Sequence, residues 1–301
     1  MKILPLLLLS LLVAGSSPAE SVEPKPVQPR PAFNVDEVQW KELHFVARKL
    51  FLVARSEIQL TRHRISKVSS EWVASPQGRP EAPQGRRVLQ VRIGSSFAGR
   101  DTVAATFFDP NDGTAIHRYK ERFGRKAYLK KARFTQEGIF HFRQAPANEN
   151  EAAGESKRWT KIEERFVDYA AKPPCRNAIS EPSVLFYMVS STPLDGPMEV
   201  CLESDSQPMK VRISPEGVRE IDVDFKVQDD IDESERSGKI SAHRLAIAPV
   251  AAGNEDDLEI LGLEGAVVLY VEKGTGIPVR VDGRIGGAGN VSVKLEKVKL
   301  R

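Results

Sequence analysis

Only two cysteines occur in 301 residues, Cys175 and Cys201. Neither sits in a Cys-x-x-Cys pair and no histidine stands near them, so neither a zinc site nor a redox motif is spelled out. Histidine is equally sparse. His44, His63, His117, His141 and His243 form no His-x-His and no His-Glu-x-x-His, which leaves a transition-metal centre without ligands at the usual spacing. His117 and His141 are the one pair that a sheet would bring across strands, and as surface residues they would carry no chemistry. A one-sided charge is missing too. The chain has 44 basic and 41 acidic residues, without the basic excess of a nucleic-acid binder. Gly94-Ser-Ser-Phe-Ala98 lacks the second glycine of a nucleophile elbow. Asp109-Pro-Asn-Asp-Gly113 has glycine at the third calcium-ligand position and no closing glutamate, so it reads as a turn. The glycine clusters Gly274-Thr-Gly276 and Gly286-Gly-Ala-Gly289 lie between strand patterns, with no helix N-terminus behind them to hold a phosphate. No catalytic constellation, metal or cofactor is therefore expected.

The longest apolar run is also short. Lys2 followed by Ile3 to Ala14 and the small residues Ser17-Pro18-Ala19 reads as an export leader over residues 1–19. Its apolar core, about twelve residues, falls short of the roughly twenty that a membrane span requires. No cysteine follows it to take a lipid anchor. Pro24, Pro26, Pro29 and Pro31 among charges make residues 20–36 a semi-extended tether. A leader implies an oxidising compartment, the periplasm. There Cys175 and Cys201 are expected to form one disulfide, closing a loop of about 27 residues worth about 3 kcal/mol.

From residue 37 onward the chain reads as one antiparallel β domain. Residues 40–65 are ambiguous: Leu43, Val46, Ala47, Leu50 and Ala54 suit a helix, whereas the aromatic and β-branched content favours a hairpin. Val88–Ile93, Thr102–Phe108, Ile116–Phe123, Ala127–Phe134 and Ile139–Arg143 are short strands separated by turns, the pattern of a meander. A further strand is expected within Trp159–Tyr169, and others at Glu199–Glu203, Met209–Ile213 and Val218–Val227. In the last of these Ile221, Val223, Phe225 and Val227 alternate with polar residues. Residues 145–157, 228–238 and 251–257 read as charged loops. Ala266–Glu272, Ile277–Asp282 and Val291–Leu295 complete the sheet.

One segment departs from the strand period. Over residues 179–191, Leu185, Met188 and Val189 fall at helical spacing beside Val184 and Tyr187. Ser180 is placed to cap that helix, Pro182 to open it and Pro193 to end it. So short a helix is unstable alone and must dock on the sheet. The strongest charge feature is Arg118–Arg133, in which Arg118, Lys120 and Arg122 share one strand face.

Trp40 leading into long strands, the segment Ser183-Val-Leu-Phe-Tyr187, and the run Ile277-Pro-Val-Arg-Val281 before a glycine-rich turn together resemble the domain-of-unknown-function 3108 family of exported bacterial proteins. The resemblance covers most of residues 40–300 and rests on packing and turn signatures. It implies a large, curved antiparallel sheet or open barrel with one short helix docked on it, related to open-barrel lipoprotein carriers, and brings no catalytic residue. The expected role is binding a hydrophobic or lipid-like ligand, or assisting its transport through the cell envelope. Val184, Leu185, Met188 and Val189 would line the site, with Arg118, Lys120 and Arg122 at a head group. The alternative is an interaction module that offers a strand edge or charged loops to an envelope protein.

Overall fold

The computed structural model describes residues 32–49, 52–97, 100–124, 126–169, 175, 179–204, 207–250, 258–287 and 289–301. The leader, residues 20–31 of the tether and the loop 251–257 lie outside the described residues. Eight strands follow one another in an up-and-down meander: β1 (Trp40–Lys49), β2 (Leu52–Arg64), β3 (Arg87–Phe97), β4 (Arg100–Phe108), β5 (Ala115–Arg122), β6 (Tyr128–Phe134), β7 (Gly138–Ala145) and β8 (Lys161–Asp168). The ambiguous stretch is thus a hairpin, β1 against β2, as its β-branched and aromatic residues favour.

The second half contributes β9 (Ile179–Ser180), β10 (Met198–Ser204), β11 (Gln207–Gln228), β12 (Glu233–Pro249), β13 (Glu259–Ile260), β14 (Leu263–Glu272), β15 (Pro278–Ile285) and β16 (Gly289–Leu300). β16 pairs with β1, so one sheet runs through the whole chain. β11, β12, β14, β15 and β16 form a ring, because β16 also meets β11 in parallel, Lys226–Gln228 against Lys297–Lys299. That pairing and the short β9–β10 pair are parallel; the other pairings are antiparallel. The mainly β architecture expected from the sequence is what forms, though as a mixed rather than purely antiparallel sheet.

Three expectations need correction. Met209–Ile213 and Val218–Val227 are not separate strands but parts of β11, which runs through Pro215 and Gly217 at a bulge where Gly217 takes φ +85°. A bulge tolerates both residues because it leaves ladder positions unpaired. Residues 233–238, expected as loop, begin β12, and the turn of this long hairpin is only Asp229–Asp232. β12 also holds residues 239–249, where small alanines and His243-Arg244 dilute the alternation of Ala242, Leu245 and Ile247. The tether, finally, stops before residue 36. Phe33 is buried against Tyr187, and Asn34 caps a short turn over Val35–Glu37.

The apolar helical segment docks between the two halves, as its length requires. It consists of a 3-10 turn, Pro182–Val184, and a helix, Leu185–Ser190, all of it buried. Ser180 does not cap it: Ser180 pairs with Leu202 in the sheet, and the Glu181 carboxylate accepts the Ser183 N–H at 2.9 Å. Trp40 donates its indole N–H to Ser190 Oγ at 2.9 Å, and the Tyr187 hydroxyl donates to the Pro110 carbonyl at 2.6 Å. Phe45 packs on Phe186, and Phe108 on Tyr187.

Cys175 and Cys201 form the expected disulfide, with Cα atoms 5.7 Å apart. Cys175 is fully buried beside Phe134, Ile139, Tyr169 and Ile179, so the bridge pins the chain between β8 and the helical segment to β10. Under oxidising conditions Cys175→Ser and Cys201→Ser should lower stability equally, by about 3 kcal/mol for this loop length. Urea midpoints of the two variants check this; unequal shifts would contradict a shared bridge.

Candidate functional site

Alternate residues of a strand face one side, so the antiparallel register of β2 to β8 fixes which side chains form ranks across the sheet. One rank runs Ile58, Ile93, Ala104, Lys120, Lys130, Arg143, Glu163. It changes from apolar to cationic between β4 and β5. The next runs Ser56, Ser95, Thr102, Arg122, Tyr128. On the other side of the cationic rank stand Thr106, Arg118, Ala132, His141 and Arg165.

These ranks form the floor of a cavity of about 920 Å3. Its roof comes from the second half of the chain: Glu181, Pro182, Ser183 and Phe186 of the helical segment, then Glu259 to Gly262 and Ile285. The volume falls within the usual range of ligand pockets, roughly 300–1,000 Å3. Lys130, Glu163, Glu164 and Arg165 are exposed, so the cavity reaches solvent over β6 to β8. Ile93, Ala104, Phe186, Ile260 and Ile285 supply an apolar wall. Eight basic side chains line the cavity against five carboxylates, which leaves it positive. A smaller cavity, about 370 Å3, lies between Phe123–Ala127 and Ala152–Trp159.

Of the residues singled out from sequence, Lys120 and Arg122 face the cavity and form no ion pair or hydrogen bond among the described residues. Arg118 also borders it, but not as a head-group ligand. Its guanidinium grips both carboxylate oxygens of Glu203, Nη2 to Oε1 at 3.2 Å, and approaches Glu181 at 3.8 Å. Thr106 Oγ1 donates to the same Glu181 at 3.2 Å. This buried latch ties the helical segment and β10 to β5. Val184, Leu185, Met188 and Val189 do not line the cavity. They are packed in the main core, and it is Pro182, Ser183 and Phe186 of the same segment that face the opening. The helical period correctly marks an apolar stripe, but that stripe is buried in the core, with Met188 beside Gly113 of the β4–β5 turn.

The sequence reading gave no place in the site to Lys130, Arg143, His141 or Glu203. The signal for the first was the turn near Gly124, since a hairpin centred there sets Lys120 opposite Lys130. Arg143 follows once β7 is registered on β6. Glu203 had no signal, because its partner lies 85 residues away.

The two histidines fall on opposite faces of the sheet and are not surface residues. His141 is half-buried on the cavity side, its Nε2 without a hydrogen-bond partner. Burial, then Arg118, Arg165 and Lys130, push its pKa down to about 3. His117 is 2 % exposed on the other face, near Trp72 and Phe107, and neither ring nitrogen has a partner. Burial, then Arg133, Lys131 and Arg118, push its pKa down to about 3 as well. Arg133, on that face, lies over the Trp72 ring and donates to the carbonyls of Ile116 at 2.6 Å and Glu81 at 3.0 Å.

A folded-state pKa below the unfolded value means that the unfolded chain binds the proton first. The stability held by neutral His117 is complete above about pH 6.5 and is lost as pH falls toward 3, at about 1.4 kcal/mol per pH unit. His117→Phe should remove this share of the acid sensitivity. Between pH 7.5 and 5.0 the variant should lose about 2 kcal/mol less than the parent protein in urea titrations. Equal losses would place the proton elsewhere.

Fold and site together define a β-sheet protein whose two halves enclose a part-apolar, part-cationic cavity. Comparison with protein-family profiles, curated proteins and solved structures gave no match.

Proposed function

We propose that this chain is an exported, periplasmic binding protein that holds a lipid-like ligand in the cavity between the meander and the helical segment, or assists its passage through the cell envelope. Binding rather than catalysis is the role we assign. The observation that carries the reading is the rank Ile93, Ala104, Lys120, Lys130, Arg143, where one row changes from apolar to cationic along the floor of a single cavity. An amphiphile has that same polarity, and pockets combine apolar walls with a few placed polar groups. The export leader and the resemblance to the domain-of-unknown-function 3108 family support the compartment within this proposal.

Native mass spectrometry of protein purified from the periplasm tests it. A co-purifying adduct of lipid mass, displaced by a fluorescent fatty acid, is the expected result. Repeated recovery of empty protein that also refuses the fluorescent probe would overturn the reading and favour an interaction module instead.

A further inference from the structure

The cationic floor has a cost that the fold does not need. Lys120 of β5, Lys130 of β6 and Arg143 of β7 stand directly opposite one another, and Arg122 follows Lys120 on the same face. Like charges in cross-strand register destabilise a sheet, with Cβ atoms only about 4.5–5.5 Å apart. Arg143 is compensated by Glu163 at 3.0 Å, and Lys130 lies over the Tyr128 ring at 5.2 Å. Lys120 and Arg122 are half-buried in the same cavity. Of the remaining cavity carboxylates, Glu181 and Glu203 are taken by Arg118. Glu164 and Glu259 leave the lining with a net positive charge.

We infer that Lys120, Lys130 and Arg122 bind a phosphate monoester, with the His141 imidazole as a further donor at its edge. This deepens the proposed function and rests on the same cavity. The charge decides the class. A carboxylate brings one negative charge to three cations lining one cavity, whereas a phosphate monoester brings about −1.5 to −2 and three acceptor oxygens. The long lysine stems let two adjacent ammonium groups close on one small anion, and Arg122 matches phosphate oxygens with a planar fork. His141 fits the same picture. It borders the cavity with Nε2 unpartnered, and burial together with the cations around it holds it neutral, so it donates without adding charge. The apolar wall of Ile93, Phe186 and Ile285 takes the esterified alkyl part.

Calorimetry on the purified full-length mature protein with four probes below their micelle concentrations separates the alternatives: decyl phosphate, decanoate, 1-decanol and inorganic phosphate. Decyl phosphate should bind at least about tenfold tighter than decanoate, one ion pair's worth of affinity. Lys120→Gln with Lys130→Gln should erase that preference and leave 1-decanol binding unchanged. The thermal midpoint of this double variant should stay level or rise, since a repulsion is removed. The imidazole signal of His141 should titrate at a higher pH with decyl phosphate than without it. Equal affinity for decyl phosphate and decanoate, or a preference that survives in the double variant, overturns the phosphate site. Binding of 1-decanol alone would do so while leaving the proposed function in place. Inorganic phosphate binding as tightly as decyl phosphate keeps the site and removes the lipid-like ligand. No binding of any probe by folded protein overturns both.

Discussion

Arg118→Ala should destabilise the protein by about 3–5 kcal/mol, because it strands a buried carboxylate. The Glu203 side chain is wholly inaccessible, and Arg118 holds it through two nitrogens. Removing the cation leaves that charge in a low-dielectric interior and takes away the contact to Glu181 as well. Urea denaturation at pH 7 reads the loss as a fall in midpoint. A double variant distinguishes the burial of an unpaired charge from simple lost packing. Arg118→Met with Glu203→Leu replaces the pair by apolar groups and should recover most of the stability, since such swaps are often neutral or favourable. If the single variant unfolds at the parent midpoint, the latch does not hold the helical segment to β5. The same experiment bears on the cavity, whose roof residues Glu181, Pro182 and Ser183 adjoin that latch.

Leu185→Asp should prevent folding at 25 °C. Leu185 is 1 % exposed, packed among apolar side chains in the core shared by the meander and the ring. Burying an unpaired acid costs several kcal/mol, against a total stability of about 5–15 kcal/mol for a domain. Leu185→Ala sets the scale for lost packing alone, about 2–5 kcal/mol. Loss of near-ultraviolet circular dichroism and a vanished urea transition in the aspartate variant would meet the expectation. A cooperative transition near the alanine variant's midpoint would show that the segment is not held where the structure places it.

The elements that local pattern encodes were legible in the sequence. Short strand-forming runs separated by turns mark β3 to β8, and the helical spacing of Leu185, Met188 and Val189 marks a buried helix. The cysteine pair, alone in the chain, marks the bridge. Where the reading failed, a tertiary constraint outweighed the local signal. Ser214-Pro-Glu-Gly217 has turn composition, yet β11 continues because its partner β12 absorbs the extra residues as a bulge. Ser180 is a better cap by type than Glu181, but Leu202 of β10 claims its backbone for the sheet. At the site, the sequence offered a basic run without its geometry. Strand period alone sets Arg118, Lys120 and Arg122 on one face, but what that face meets is fixed only by register and by the distant chain that packs on it. Together these send Lys120 and Arg122 into the cavity, Arg118 to Glu203 and Arg133 to Trp72 on the far side.

The place of β16 sets a temporal order on assembly. It lies between β1 and β15 and also closes onto β11, so a strand some 240 residues downstream of β1 covers its edge and locks the ring. A chain made from its N-terminus can lay down the meander early, but β1 keeps a bare edge until Gly289–Leu300 arrives. Open edges recruit other chains. Until β16 is in place the uncovered β1 edge therefore carries an aggregation risk, and a holding chaperone would act during that interval.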